Sequence, residues 1–174
     1  KGRSRIANFF MNNTQYEYVM FIDADVGFTS EDVLKLLSHQ KDIVCGAYPM
    51  KSIPLRYNYN MSQPPVAEDS LVKIENIGFG FALLHRRVFE KIKENYEDLK
   101  YIPAQGNSTY PITEAEYYNS YHYFNELKKD MSYLPEDFSF FERANSVGFT
   151  AWLDTTIRLC HVGSHVFQEI NIEK

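Results

Sequence analysis

Apolar segments alternate with polar, turn-forming segments along this chain, and the spacing of the apolar residues predicts strands that alternate with helices. The clearest strand covers residues 18–22, a continuous apolar run that ends at Asp23 and Asp25. A run bounded in this way is typical of a buried strand in a parallel sheet. A helix should begin after Thr29, which is a good N-cap, and residues 42–48 should form the next buried strand. Strand, helix and strand in this order predict a βαβ unit.

The rest of the chain continues the alternation. Near the start, Ile6, Phe9 and Phe10 recur at helical spacing and predict a helix with one apolar face. Thr113 and Glu116 have the spacing of a capping box. The further predicted elements are helices at 1–11, 85–95, 113–129 and 135–148 and strands within 74–84, 149–153 and 156–160. Together they predict an α/β fold with a mostly parallel central sheet and flanking helices.

Length and charge narrow the classes of protein to which the chain can belong. Its 174 residues are enough for a single domain, 1–174, with a substantial core. The net charge of −5 comes without a basic stripe, which argues against nucleic acid as a partner. No apolar run has the length of a membrane span, and no signal-peptide pattern opens the chain. Cys45 and Cys160 are too few for a disulfide framework, so a reducing, cytoplasmic location is expected.

The tripeptide from Asp23 to Asp25 is the first candidate for chemistry. Alternate residues face the same side, so the two carboxylates should lie together at the carboxyl edge of the sheet. Such a pair repels unless one acid is protonated or a cation lies between them, and hard divalent ions prefer carboxylate oxygen. The structural alternative is an Asx turn or a cap for the following helix.

Glycines interrupt a second apolar stretch. Gly78 and Gly80 flank Phe79 within residues 74–84. Glycine in an apolar run marks either a close approach of a ligand to the backbone or a plain tight bend. Both interpretations stay open on the residues alone.

Four segments, taken in order, resemble one family. They are FIDADVGF (21–28), GFGFALLHRRVFEKI (78–92), LPEDFSFFERANSVGF (134–149) and WLDTTIRLCHVG (152–163). The combination resembles the GT-A glycosyltransferases, which use nucleotide sugars as donors. The resemblance covers most of residues 18–163 and implies a Rossmann-like GT-A fold.

The resemblance also implies a divalent-metal site. Asp25 resembles the residue that binds the metal directly, Asp23 the residue that reaches the ribose and the metal shell, and His161 the third protein ligand. This donor set suggests Mn²⁺, with Mg²⁺ second, and such an ion would neutralise a leaving diphosphate. The alternative for a single histidine at a strand end is a packed or hydrogen-bonded residue.

Other positions match the family's substrate-handling residues. Asp137 resembles the general base of inverting members, which takes the proton of the acceptor hydroxyl, and Glu136 resembles an acceptor-binding residue. The alternative is that both acids merely complement a helix dipole. Residues 78–80 would lie beside the donor sugar or the acceptor, and Arg5 would bind the base or the diphosphate. The expected activity is therefore transfer of a sugar from a nucleoside-diphosphate sugar to a hydroxyl of a carbohydrate or other acceptor, with inversion.

One feature of the family is missing at the front of the chain. Members begin with a strand, a loop, a helix and a second strand that hold the nucleotide base, and this material would precede Arg3. We therefore expect either a fragment of a longer protein or a base held in another way.

Two other functions stay open. Haloacid-dehalogenase-like phosphatases also place Asp-x-Asp after an apolar strand, and Asp23 and Asp25, followed by Val26, fit that pattern. A non-catalytic domain that binds a nucleotide or a carbohydrate is the third possibility.

Overall fold

The computed structural model describes residues 2–104 and 111–168. Its helices are α1 (Gly2–Asn13), α2 (Ser30–Ser38), α3 (Arg86–Asn95), α4 (Glu114–Tyr118) and α5 (Glu136–Ser146), with a 3₁₀ helix at Glu97–Leu99. Its strands are β1 (Tyr18–Ile22), β2 (Val26–Gly27), β3 (Ile43–Gly46), β4 (Tyr59–Met61), β5 (Ala67–Glu68), β6 (Leu71–Ile77), β7 (Phe81–His85), β8 (Lys100–Tyr101), β9 (Ser120–Tyr121), β10 (Leu127–Lys129), β11 (Ser132–Leu134), β12 (Ala151–Asp154), β13 (Cys160–Val162) and β14 (Val166–Phe167).

The chain divides into two compact units. The helical unit comprises the described parts of Lys1–Val19 and His85–Gly148, and the sheet unit comprises those of Met20–Leu84 and Phe149–Lys174. Within the described ranges, no helix combines the length and the apolar character needed to cross a membrane.

A mixed, mostly antiparallel sheet forms the centre of the sheet unit. Among the described residues its strand order is β1-β7-β3-β12-β6-β4, and β5 pairs with β6. β12 runs parallel to β3, whereas β7 is antiparallel to β3, and β6 is antiparallel to β12, β4 and β5. The predicted Rossmann-like, mostly parallel sheet of a GT-A fold is therefore wrong.

Burial explains why apolar runs predicted strands but not their direction. All four residues of β3 and all four of β12 are buried, as in the middle of any sheet covered on both faces. Such coverage produces a continuous apolar run whether the neighbours are parallel or antiparallel. β1, which was predicted to be buried, lies at one end of the strand order, and Phe21 is its one buried residue.

The predicted helix boundaries near Thr29, Pro135 and Gly148 are confirmed. The backbone N–H and the hydroxyl of Thr29 both donate to Asp32 Oδ2, at 2.8 and 2.9 Å, where α2 begins. Pro135 is the N-cap of α5, which places two acidic residues in its positive first turn. Gly148 follows the end of this helix with φ +96°, which a residue with a Cβ rarely adopts.

α1 buries only part of the predicted apolar face, since Phe10 is buried as expected. Ile6 and Phe9 are 52% and 54% exposed, whereas Asn8 is buried. The Asn8 side chain accepts a hydrogen bond from Tyr121 N–H at 2.9 Å and donates one to the Tyr121 carbonyl at 3.1 Å. The helix therefore packs through hydrogen bonds that its apolar spacing did not indicate.

The same contact accounts for a helix that is shorter than predicted. The capping box is confirmed, since Glu116 N–H donates to Thr113 Oγ1 and Thr113 N–H donates to Glu116 Oε2, at 3.2 and 3.1 Å. The helix expected over 113–129 nevertheless ends at Tyr118, and Tyr121 lies in β9, which pairs with β8. Both backbone groups of Tyr121 bind Asn8, so they are not available to continue a helix.

Arg86 caps the carboxyl end of α1. Its guanidinium donates to the carbonyl oxygens of Phe10 (3.0 Å), Met11 (3.1 Å), Thr14 (2.9 Å) and Tyr16 (2.9 Å). The last carbonyls of a helix have no partner within the helix, and a positive charge suits their end of the dipole. The guanidinium also lies 4.4 Å from the centre of the Phe10 ring.

We expect Arg86→Met to lower the free energy of unfolding by about 2–4 kcal/mol, because several partly buried carbonyls lose their donor at once. Urea denaturation followed by circular dichroism measures this. Lys91→Met is the matched control on α3, since the Lys91 side chain forms a surface ion pair with Glu94, and should cost less than about 0.5 kcal/mol. Equal effects of the two substitutions would contradict the capping role.

Candidate functional site

A small antiparallel sheet, β14-β13-β2, carries the candidate site in the sheet unit. Cys160 pairs with Gly27, and Val162 N–H donates to the Asp25 carbonyl at 2.8 Å. A Cβ at position 27 would clash with the Cys160 sulfur, so any larger residue there would force that side chain to shift. This pairing brings His161 beside Asp25.

The His161 ring is oriented on both of its nitrogens. Nε2 lies 3.3 Å from Asp25 Oδ2, and Nδ1 lies 2.9 Å from the Pro49 carbonyl oxygen. Because a carbonyl only accepts hydrogen bonds, Nδ1 carries the proton, and in the neutral ring the lone pair of Nε2 faces Asp25. Tyr48 packs edge-on against the ring, with centroids 5.1 Å apart.

Lys51 is a third member of this cluster, and the sequence did not single it out. Its Nζ lies 2.7 Å from Asp25 Oδ2. The hydrogen bond from Lys51 lowers the pKa of Asp25, desolvation raises it by less, and the charges of His161 and Lys51 lower it further. The Asp25 carboxylate is therefore ionised at neutral pH and can only accept.

The structure places two of the three predicted metal ligands side by side. These are Asp25 and His161. The third, Asp23, is held by two backbone hydrogen bonds: its N–H donates to the Gly80 carbonyl at 2.9 Å, and its carbonyl accepts from Val26 N–H at 3.0 Å. In residues 2–104 and 111–168, no group of three or more His, Cys, Asp or Glu side chains could hold a metal ion. A protein site with three such ligands is therefore not formed there.

The chemistry of the remaining pair still fits a divalent ion. Adjacent ligands on an octahedral ion, each bound at about 2.1 Å, lie about 3 Å apart. The separation of Asp25 Oδ2 and His161 Nε2 is 3.3 Å. The hydrogen bond from Nδ1 to a backbone carbonyl is the outer contact that commonly orients a metal-bound histidine. The two residues would supply part of a shell that phosphate oxygens and water complete.

The glycines of residues 78–80 make room for a side chain. A Cβ at Gly78 would lie 2.8 Å from the Tyr48 hydroxyl, and one at Gly80 would lie 2.6 Å from its ring. Phe79 is fully buried and packs edge-on to Phe21. Tyr48 lies two residues after the end of β3 and directly before Pro49, and that position was the signal for it in the sequence. Substrate binding by residues 78–80 stays a prediction.

The predicted acid pair lies in the helical unit, in the first turn of α5. Arg3 Nη1 lies 3.1 Å from Asp137 Oδ1 and also forms an ion pair with Glu136. Sequence reasoning missed Arg3 as their partner. Arg5 lines a separate small cavity of about 170 Å³, together with Glu116. The roles predicted for Asp137, Glu136 and Arg5 stay predictions.

A larger open cavity of about 640 Å³ lies in the sheet unit. Its lining includes the aromatic residues Phe28, Tyr57 and Tyr59, and also Cys160 and Asp154. A cavity of this size and mixed lining suits a small molecule. Successive residues of a strand face opposite sides, so the side chains of Cys160 and His161 point to opposite faces of β13.

Asp154, at the edge of this cavity, is a buried carboxylate with several donors. Thr156 N–H and its hydroxyl donate to Oδ1 at 2.7 and 2.6 Å, and His39 Nε2 lies 2.7 Å from Oδ2. Burial raises the pKa of Asp154, but the hydrogen bonds from Thr156 and His39 and the charge of Lys35 outweigh it, so the pKa lies below its ordinary value.

Comparison with known proteins gives a likeness of fold alone. No family model matches the chain, and neither does any curated protein. The solved structure of A197 from STIV, a viral protein, is similar over 97% of this chain and 74% of its own, with a TM-score of 0.53 and 15% sequence identity.

The assignment to the GT-A glycosyltransferase family is overturned. No family model and no curated protein matches the chain, and the likeness to A197, at 15% identity, is one of fold alone. The sheet is mixed and rich in antiparallel pairs, and the described residues hold no group of three metal ligands. Four short motifs in order were too little to identify a family, since each also has a structural explanation.

We expect Asp154→Asn to destabilise the chain by about 1–3 kcal/mol at pH 7, because an amide cannot accept all of these hydrogen bonds. Since the folded pKa is lowered, ionised Asp154 stabilises above the unfolded pKa, and that contribution disappears as the pH falls from about 5 through the folded value. Urea denaturation at several pH values should therefore show the difference between the two proteins shrinking in acid. A difference independent of pH would contradict this assignment.

Proposed function

We propose that this chain transfers a sugar from a nucleoside-diphosphate sugar to an acceptor hydroxyl, with a divalent ion, Mn²⁺ or Mg²⁺, held by Asp25 and His161. The observation that carries the proposal is the orientation of His161, whose Nδ1 binds the Pro49 carbonyl while Nε2 faces Asp25 Oδ2 at 3.3 Å.

This arrangement supports the proposal because it directs two acceptors at one point. Ionised Asp25 has no proton to donate, and when the His161 ring is neutral its Nε2 has none either. Two acceptors at this distance repel each other unless a cation or a proton lies between them. The backbone pairing of β2 with β13 holds them together, and the Lys51 ammonium already lies 2.7 Å from Asp25 Oδ2, which favours a site built to bind a cation.

The residues around the pair would hold and orient the donor. A divalent ion, when bound, supplies a Lewis acid that neutralises the charge on a departing diphosphate. Asp23 N–H donates to the Gly80 carbonyl. This backbone hydrogen bond connects the turn at residues 23–25 to the glycine turn at residues 78–80, which is predicted to bind substrate. Asp23 itself is proposed to reach the donor's ribose.

Asp137 is proposed as the general base. The acceptor oxygen forms a bond to the anomeric carbon, the bond from that carbon to the diphosphate oxygen breaks, and the hydroxyl proton passes to the Asp137 carboxylate. Arg3 supports this role because its ion pairs with Asp137 and Glu136 fix the direction of both carboxylates.

We expect slow release of nucleoside diphosphate when the chain is incubated with Mn²⁺ and a panel of UDP-, GDP- and dTDP-sugars. Asp25→Asn should lower that release by about 100-fold or more, because the amide is a poor ligand for the ion. Glu31→Gln, which removes an exposed carboxylate from α2 in the same unit, is the control and should leave it unchanged. Undiminished release from Asp25→Asn would remove the metal site from the proposal.

The same assay separates the alternatives. Hydrolysis of a generic phosphate monoester that Asp23→Asn abolishes would favour the phosphatase. Donor binding measured by calorimetry, with no turnover of any donor, would favour a non-catalytic binding domain.

For the base, we expect Asp137→Asn to keep donor binding and to lower transfer by about 100-fold or more, within the range that general-base catalysis contributes. Transfer to the acceptor and donor binding are measured on the same preparation. Glu142→Gln is the control on α5, since Glu142 forms an exposed ion pair with Lys129. Transfer at the unmodified rate in Asp137→Asn would refute the base role.

A further inference from the structure

We propose that Lys51 forms an ion pair with Asp25 in the absence of metal, and that it binds the donor's diphosphate once a divalent ion binds the Asp25 carboxylate. The inference rests on the proposed function and deepens it, because it assigns to this chain a second cation for the donor's diphosphate.

The first argument is competition for one oxygen atom. Lys51 Nζ and His161 Nε2 approach the same atom, Asp25 Oδ2, at 2.7 and 3.3 Å. A divalent ion bound to that oxygen and to His161 would lie next to the ammonium group. Two positive charges at such a distance repel each other, so the ion and the ammonium cannot both keep this position.

The second argument is that Lys51 is fixed near its backbone and exposed at its tip. Met50 N–H donates to the Arg56 carbonyl at 2.7 Å, which holds the segment that carries Lys51. The aliphatic stem lies against Gly163, where a Cβ would come within 3.2 Å of Lys51 Cδ. The Lys51 side chain is nevertheless 40% exposed, so its ammonium can turn while the stem stays in place.

The third argument concerns the anion that the displaced ammonium would bind. A diphosphate has oxygens enough for a metal ion and for another cation at once. Lysine is a compact cation with three donors and a common phosphate-binding residue. Lys51 would thus exchange a carboxylate oxygen of Asp25 for a phosphate oxygen of the donor when metal and donor are bound.

The proposal predicts opposite effects of one substitution. In Lys51→Met, the affinity for Mn²⁺ alone should rise about three- to tenfold, because the competing cation is gone. Binding of pyrophosphate in the presence of Mn²⁺ should fall by about tenfold or more, because a charged donor to phosphate is lost. Electron paramagnetic resonance of free Mn²⁺ measures the first affinity, and titration calorimetry measures the second.

Two further variants control for charge and for folding. Lys51→Arg keeps the positive charge, so both affinities should stay within about threefold of the unmodified chain. Lys41→Met removes an equal charge from the same unit, where Lys41 pairs with Glu68, and should change neither affinity. Circular dichroism and thermal melting confirm that each variant is folded.

The outcomes separate this inference from the function on which it rests. Mn²⁺ affinity that falls or stays unchanged in Lys51→Met overturns the inference, and so does unchanged pyrophosphate binding. The opposite shifts without turnover of any nucleotide sugar support the role of Lys51 and refute the transferase. If no variant binds Mn²⁺ or pyrophosphate, both proposals fail.

Discussion

Asp25 and His161 are far apart in the chain, and the pairing of β2 with β13 brings them together. The hydrogen bond from Val162 N–H to the Asp25 carbonyl helps to fix the register of β13 against β2. Gly27 permits the close approach, since any larger residue would meet the Cys160 sulfur. The placement of His161 against Asp25 follows from this short contact, because it decides which imidazole faces which carboxylate.

Tyr48, Pro49 and Lys51 form the other wall of that site, and each acts through a different chemical group. The Tyr48 ring packs on the glycine turn and on His161, the Pro49 carbonyl orients the imidazole, and the Lys51 ammonium binds Asp25. A backbone carbonyl cannot be recognised as an orienting group from sequence, since every residue has one. The ring and the ammonium are recognisable residue types, but neither is unusual beyond the end of a strand. Their function depends on where the chain turns after β3.

In the helical unit, side chains take over hydrogen bonds that backbone usually makes. Asn8 binds both backbone groups of Tyr121, and Arg86 binds the terminal carbonyls of α1. Buried polar groups must be paired, so these contacts have a large influence on where helices end. They explain both errors in the helical prediction. The exposed Ile6 and Phe9 did not mark the buried face, and a good capping box at Thr113 did not guarantee a long helix.

Local chemistry was enough to predict several features from the sequence alone. The caps at Thr29 and Thr113, the helix start at Pro135 and the strand before Asp23 all depend on residues within a few positions of one another. The direction of the strands and the pairing of Asp25 with Lys51 depend on contacts between distant segments. An apolar run reports that a strand is covered, not which strand covers it. Only the tertiary structure decided the strand directions and the pairing of Asp25 with Lys51, because pairing energies come from neighbours that the local sequence does not specify.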